Sequence, residues 1–173
     1  MSIKTYKNFL TIQEHKELFD VITSPNFAWH QIKCLSPPLV SDDIQFCHWL
    51  KDVNSNPSTF FQYFKTIFDK LDVHILHRAK LNLTIQDKEI RILGGYHHDV
   101  YRDYKHTQPL EELKIALYYF NDTNGQTYIK KDNKVSKIDC VENSLVTFSN
   151  TLKHTGTTHT NTKFRYVLNI NYI

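Results

Sequence analysis

"SLVTFSNTLKHTGTTHTNTKFRYVLNINYI", residues 144–173, is the stretch on which the fold turns. Its two ends, "SLVTFS" and "FRYVLNINYI", are β-branched and aromatic, a composition that suits a pleated, half-buried surface. Threonine, glycine and asparagine, residues of turns and loops, fill the interval. Upstream, "HILHRAKLNLTI" (74–85), "EIRIL" (89–93), "KIALYYF" (114–120), "QTYIKK" (126–131) and "KVSKID" (134–139) share the character of the two ends. "NDTNGQT" (121–127) reads as a hairpin turn, because Asn-Gly readily takes up positive φ angles. From about residue 73 the chain therefore reads as seven short antiparallel strands.

The first half reads differently. "TIQEHKELFDVIT" (11–23) opens on Thr11 with Glu14 three residues on, the pattern of a capping box. Ile12, His15, Leu18, Phe19 and Ile22 follow at helical spacing. "SPPLVSDD" (36–43) is expected to be a loop, and "DDIQFCHWLKDV" (42–53) a short helix or irregular piece. "NPSTFFQYFKTIFDKLD" (56–72) reads as a second helix, capped by Ser58, with Phe60, Phe61, Phe64, Ile67, Phe68 and Leu71 on one face. Helices followed by antiparallel strands imply an α+β, mainly β fold. The expected core is a double-stranded β-helix (a jelly roll, cupin-like) with N-terminal helices packed on one sheet. At 173 residues a single domain spanning 1–173 is expected, with 1–72 mostly helical support and 73–173 the jelly-roll core.

Composition excludes several classes. The net charge of +3 is too mild for the basic footprint of a nucleic-acid binder, so nucleic acid is not an expected partner. Cys34, Cys47 and Cys140 are odd in number and widely spaced, suggesting neither a disulfide framework nor a zinc cage. "MSIKTYKNFL" lacks the apolar core of a signal peptide, and no apolar run approaches the ~18 residues of a membrane span. A cytoplasmic protein without membrane contact is the expectation.

Within this frame, "GGYHHDVYRD" (94–103) gathers potential metal ligands beside two of the chain's four glycines. Side chains alternate faces along an extended segment, so His97 and Asp99 point one way and His98 the other. The glycines let the strand bend at the barrel rim. A third ligand is expected from a later strand, and His154 is the candidate. Two histidines and one carboxylate with open positions form the facial triad of non-haem iron. Ten residues separate His154 from Arg165, enough for a turn and a return along the last strand. An arginine inside a barrel mouth needs an anion, and its fork matches a carboxylate. A dicarboxylic acid chelating at one end and anchored at the other would satisfy both groups.

The order His-x-Asp, His, ten residues, Arg resembles that of the Fe(II)/2-oxoglutarate-dependent dioxygenases. Within them the chain looks most like the prolyl-4-hydroxylase-like branch, which includes small oxygenases of phages and marine microbes. The resemblance is carried by "HRAKLNL" (77–83), "YHHDV" (96–100), "ALYYFNDTNGQTYI" (116–129), "VTFSNTLKHTG" (146–156) and "RYVLNINY" (165–172). "NFAW" (26–29) and "STFFQYF" (58–64) extend it over most of the chain.

This resemblance implies an Fe(II) enzyme with 2-oxoglutarate and O2 as cosubstrates. It would hydroxylate a C–H bond of a peptidyl (prolyl among them) or small-molecule substrate, with succinate and CO2 as products. It implies iron ligation by His97, Asp99 and His154, and cosubstrate binding by Arg165, Tyr119 and Asn82. Many prolyl-4-hydroxylases carry lysine where this chain has Arg165, a departure that bears on the prolyl label. Asp99 argues against a halogenase. The loops 100–113 and 155–163 are expected to frame the entrance, with Tyr101, Arg102 and Tyr104 touching substrate. The alternatives are a zinc-dependent hydrolase, which lacks a glutamate placed as base, and a non-catalytic jelly-roll binding module.

Overall fold

The computed structural model describes residues 2–36, 39–103 and 105–173. In chain order the elements are β1 (Lys4–Tyr6), α1 (Ile12–Thr23), β2 (His30–Ser36), β3 (Leu39–Asp52), a 3-10 turn (Phe61–Phe64), α2 (Lys65–Lys70) and β4 (Leu76–Ile85). β5 (Ile92–His97), β6 (Lys114–Tyr119), β7 (Thr123–Lys131), β8 (Lys134–Cys140), β9 (Ser144–Ser149), β10 (Lys153–Thr157) and β11 (Phe164–Tyr172) follow. The strands form two antiparallel sheets, one ordered β1-β9-β6-β11-β4-β3-β2 and the other β5-β10-β7-β8. This is the jelly-roll core read from the strand pattern, with its helices on one sheet. No helix among the described residues is long and apolar enough to cross a membrane.

Alternation along the large sheet divides two cores. Leu81 and Leu83 of β4, Tyr118 of β6, and Leu168 and Ile170 of β11 face outward. There they join Leu18 and Ile22 of α1 and Ile67 and Phe68 of α2. Ile115, Leu117 and Tyr119 of β6 face inward with Val146, Phe148 and Val167, meeting Ile129 of β7 and Cys140 of β8. The helix α1 starts where the capping box predicts: Glu14 N–H donates to Thr11 Oγ1 (3.2 Å) and Thr11 N–H to Glu14 Oε2 (2.8 Å).

Four readings are corrected. Residues 42–52 are not helical or irregular but belong to β3, which also takes in 39–43 of the expected loop and pairs with β4 from Phe46↔Leu83 to Asp52↔Arg78. Cys47 and His48 are buried on opposite faces, and a strand covered on both sides loses its alternating signature. Together with β2 it extends the large sheet, so the first 72 residues are less helical than expected.

The second helix is broken into the 3-10 turn and the six-residue α2. Ser58 Oγ does accept from Phe60 N–H (3.2 Å), but the rings of Phe60 and Phe61 are seated against Phe27 and Phe68. Aromatic residues also lose side-chain freedom in a helix.

Asn124-Gly125 is not a hairpin tip. It lies at an irregularity near the start of β7, because the chain there crosses from the large sheet to the small one. The β7–β8 hairpin turns at Asp132-Asn133, with Asp132 at φ 53°. Gly125 serves close approach instead: a Cβ would lie 3.0 Å from the Thr158 carbonyl oxygen.

Finally, residues 153–157 are a strand, β10, seated between β5 and β7. Their polar composition hides this, since Thr155 Oγ1 donates to the Leu93 carbonyl (2.8 Å).

Candidate metal and anion site

β5 ends on Gly94, Gly95, Tyr96 and His97. Both glycines have positive φ, 65° and 87°, which bulkier residues adopt only with strain. The glycines lie in an irregularity of the β5–β10 register, between Leu93 opposite Gly156 and His97 opposite His154, and the chain leaves the sheet only after His97, carrying Asp99 to the cavity. Asn150, fully buried, pins this departure. Its Oδ1 accepts from Asp99 N–H (3.1 Å) and Val100 N–H (3.2 Å), and its Nδ2 donates to the Val100 and Leu110 carbonyls (2.7 and 3.0 Å). His98 turns away and its Nδ1 meets the Asn150 carbonyl at 2.8 Å.

The structure brings His97, Asp99 and His154 together. One ligand atom from each lies within 4.8 Å of the others. His97 and His154 are register partners on β5 and β10, with ring centroids 4.7 Å apart. Asp99 Oδ1 lies 3.7 Å from His97 Nε2 and 3.8 Å from His154 Nε2. His97 Nδ1 is 3.0 Å from the Gly95 carbonyl, which fixes the proton on Nδ1 and leaves the Nε2 lone pair toward Asp99. Asp99 Oδ2 accepts from Asn169 Nδ2 and Asn171 Nδ2, both at 2.8 Å, and Oδ1 lies 3.0 Å from Arg78 Nη2.

Burial alone would raise the Asp99 pKa. Arg78, the two histidines and the Asn171 hydrogen bond outweigh it and hold the carboxyl well below the usual range. Burial pushes His154 down to about 3, against the pull of Asp99, so its imidazole is neutral at physiological pH. The neutral imidazole of His154 and the ionised carboxylate of Asp99, with His97 Nε2 beside them, are donor types that Fe(II) accepts.

The same cavity, about 130 Å³, runs from this cluster to Arg165 on β11 and is lined by Asn82, Leu117, Thr127, Gly156 and Val167 among others. Arg165 is 4% exposed. Its Nε donates to Cys140 Sγ (3.4 Å), Nη1 to the Thr157 carbonyl (3.2 Å) and Nη2 to Thr127 Oγ1 (3.3 Å). Among the described residues no carboxylate lies within ion-pair distance of it. A buried guanidinium without a carboxylate partner has the charge and the fork geometry to receive an anion. Gly156 leaves it room, since a Cβ there would stand 3.4 Å from Nη1.

Tyr119, as alternation requires, faces inward and Tyr118 outward. The Tyr119 hydroxyl donates to Thr127 Oγ1 (2.8 Å), and its ring lies 5.8 Å from the Arg165 guanidinium. Burial pushes this phenol above its usual range. Thr127, rather than Tyr119, lines the cavity. Asn82 also lines it, and its buried Oδ1 has no hydrogen-bond partner among the described residues.

The expected substrate contacts fare differently. Tyr101 stacks near His98 and His106, and Arg102 pairs with Glu112 at 2.9 Å on the surface. Neither is among the described residues lining the cavity, because the 100–113 loop folds onto itself. Tyr104 lies outside the described residues. The 155–163 segment is no open entrance loop either, since Thr158 and His159 are buried and tied to residues 87–91.

Sequence reasoning missed Arg78, Thr127, Asn150, Asn169 and Asn171. A signal existed for three of them. "HRAKLNLT" carries polar residues at 78, 80, 82 and 84, and "VLNIN" at 169 and 171, so each strand has one polar face beside an apolar one.

No protein-family model matches the chain, and no curated protein matches it by sequence. Solved structures do match over nearly its whole length. A 2OG-Fe(II) oxygenase family oxidoreductase from Burkholderia pseudomallei superposes with a TM-score of 0.68 at 8% identity, covering 98% of this chain and 84% of that one. A prolyl-4-hydroxylase from Pseudomonas putida gives 0.65 at 13% identity, covering 98% and 91%. HygX from Streptomyces hygroscopicus, solved with nickel, 2-oxoglutarate and hygromycin B bound, gives 0.60 at 13% identity, covering 98% and 82%. The fold of this chain is the one shared by the 2-oxoglutarate- and Fe(II)-dependent oxygenases, prolyl hydroxylases among them.

Proposed function

We propose that this chain is an Fe(II)- and 2-oxoglutarate-dependent oxygenase that hydroxylates a C–H bond. The observation that carries the reading is the pairing, in one cavity, of a His-Asp-His cluster with a buried arginine that has no carboxylate partner among the described residues. Either feature alone has ordinary explanations. Together they suit a small diacid held at both ends, and the HygX structure contains a metal with such a diacid, nickel with 2-oxoglutarate.

In this reading His97, Asp99 and His154 hold the iron. Iron with 2-oxoglutarate supplies activation of O2 for C–H hydroxylation, with succinate and CO2 as products. The rest is the work of the chain. Arg165 grips the distal carboxylate, with Thr127 beside it and Tyr119 fixing the Thr127 hydroxyl. Asn82, which lines the cavity, offers its amide N–H toward the metal-proximal end of the cosubstrate. Leu117 and Val167 exclude water along its length. Asn169 and Asn171 lock one oxygen of Asp99 so that the other faces inward. The substrate is peptidyl, with prolyl peptides first to be screened, or a small molecule. A zinc hydrolase is disfavoured because Asp99 is the one carboxylate among the described cavity-lining residues.

The test is spectroscopic and analytical. Anaerobic addition of Fe(II) and 2-oxoglutarate should produce a weak visible charge-transfer band. Admitting air should then release succinate, increasingly so with a true substrate, which gains one oxygen by mass. Absence of both band and succinate leaves the non-catalytic binding module as the reading.

A further inference from the structure

Arg78 is a group for which iron and 2-oxoglutarate binding assign no task, and its placement bears directly on the metal site proposed above. Its Nη2 lies 3.0 Å from Asp99 Oδ1, the oxygen that faces both histidines. The other oxygen is occupied by Asn169 and Asn171. Thus an arriving ion and the guanidinium address the same atom. Both partners are withdrawn from water, the side chains being 16% and 5% exposed, so neither charge is well screened. Arg78 is the one lysine or arginine within ion-pair distance of Asp99 among the described residues. Its guanidinium also lies 5.9 Å from the ring of Trp49, which Lys80 Nζ approaches at 5.2 Å.

We infer that Arg78 is a positioning residue and counter-ion for Asp99. It balances the buried carboxylate when no ion is bound, and by like-charge repulsion it weakens the site's grip on a divalent metal. The contact therefore trades metal affinity for a stable scaffold in the absence of metal. Removing the charge should move the two quantities in opposite directions, which a purely structural role would not do. Loss of a packing residue lowers stability and disorders the ligands, weakening metal binding as well.

The test is calorimetric titration with Mn(II), a redox-inert divalent probe, on wild type, Arg78→Gln and Arg78→Lys, with thermal unfolding in chelator and in saturating Mn(II). Arg78→Gln should bind Mn(II) about tenfold more tightly. It should unfold at a lower temperature in chelator and recover more than wild type on adding Mn(II). Arg78→Lys, which keeps the charge, should stay close to wild type in affinity. Equal or weaker Mn(II) binding by Arg78→Gln overturns the inference. Should Arg78→Gln fail to fold in chelator, folding restored by Mn(II) supports the inference and failure in both conditions overturns it. Absence of Mn(II) binding in wild type and variants alike falls on the metal-site reading itself, and the counter-ion role goes with it.

Discussion

The two faces of the large sheet are made by the same strands and do opposite things. On β4 and β11, Leu81, Leu83, Leu168 and Ile170 point outward into a core of apolar and aromatic side chains that α1 and α2 help to build. One residue away along the same strands, Lys80, Asn82, Arg165 and Asn169 point inward and line the cavity. Tyr118 and Tyr119 repeat the division on β6. The Tyr118 hydroxyl donates to Asn143 Oδ1 (2.9 Å) in the turn before β9, and that of Tyr119 to Thr127 beside Arg165. Stability and chemistry are thus separated by one residue of sequence and by the thickness of a sheet. A one-residue slip of register would exchange them, which is why the outer face has to be so thoroughly apolar.

If the separation holds, substitutions on the two faces should be distinguishable. The largest effect expected is on the inner face. His97→Ala removes one of the three donors at a position 21% exposed, and should weaken Mn(II) binding more than about a hundredfold in calorimetric titration. Its thermal midpoint should stay near wild type, and a large drop would mean that the cluster is part of the scaffold. Leu168→Ala should do the reverse. It empties a fully buried site on the outer face and should cost about 2–5 kcal/mol in denaturant unfolding. Mn(II) affinity of the folded fraction should be retained.

Arg165→Ala probes within the inner face. It should raise the 2-oxoglutarate concentration needed for half-maximal succinate release by about a hundredfold, with Mn(II) binding largely intact. Equal loss of both would make Arg165 a structural residue.

The smallest effect belongs to the helical layer. Glu14 is held down at about 2 by hydrogen bonds from Lys70 and Thr11. Its folded pKa is depressed, so its contribution to stability is present above the unfolded value of about 4.5 and lost as pH falls toward 2. Glu14→Gln should flatten that part of the melting-temperature profile and leave metal binding unchanged.

How far each region could be read beforehand follows the same division. The capping box at Thr11 and Glu14 and the β-branched runs of β4, β9 and β11 are local signals, and they mark elements correctly. His97, Asp99 and His154 were legible as metal-ligating residue types, and Arg165 as a costly charge on an apolar strand, at spacings that a bend or a turn can close. β3 was not legible, because burial on both faces erases its alternation. β10 was hidden by hydroxyls spent on main-chain groups such as the Leu93 carbonyl. Asn124-Gly125 misled because a turn signal says what φ a residue tolerates and not what it approaches, here the Thr158 carbonyl.

Periodicity and residue chemistry along the chain were enough to specify the first helix, most strands from β4 onward and the types of group that must converge. They specify these because propensity, capping and alternation act over a few neighbouring residues. Which groups share one oxygen of Asp99, that Thr127 stands between Tyr119 and Arg165, and that Tyr101 and Arg102 fold away from the cavity were settled only by packing. Such contacts join residues up to 72 apart and depend on how two sheets stack, a property that no local stretch of the chain contains.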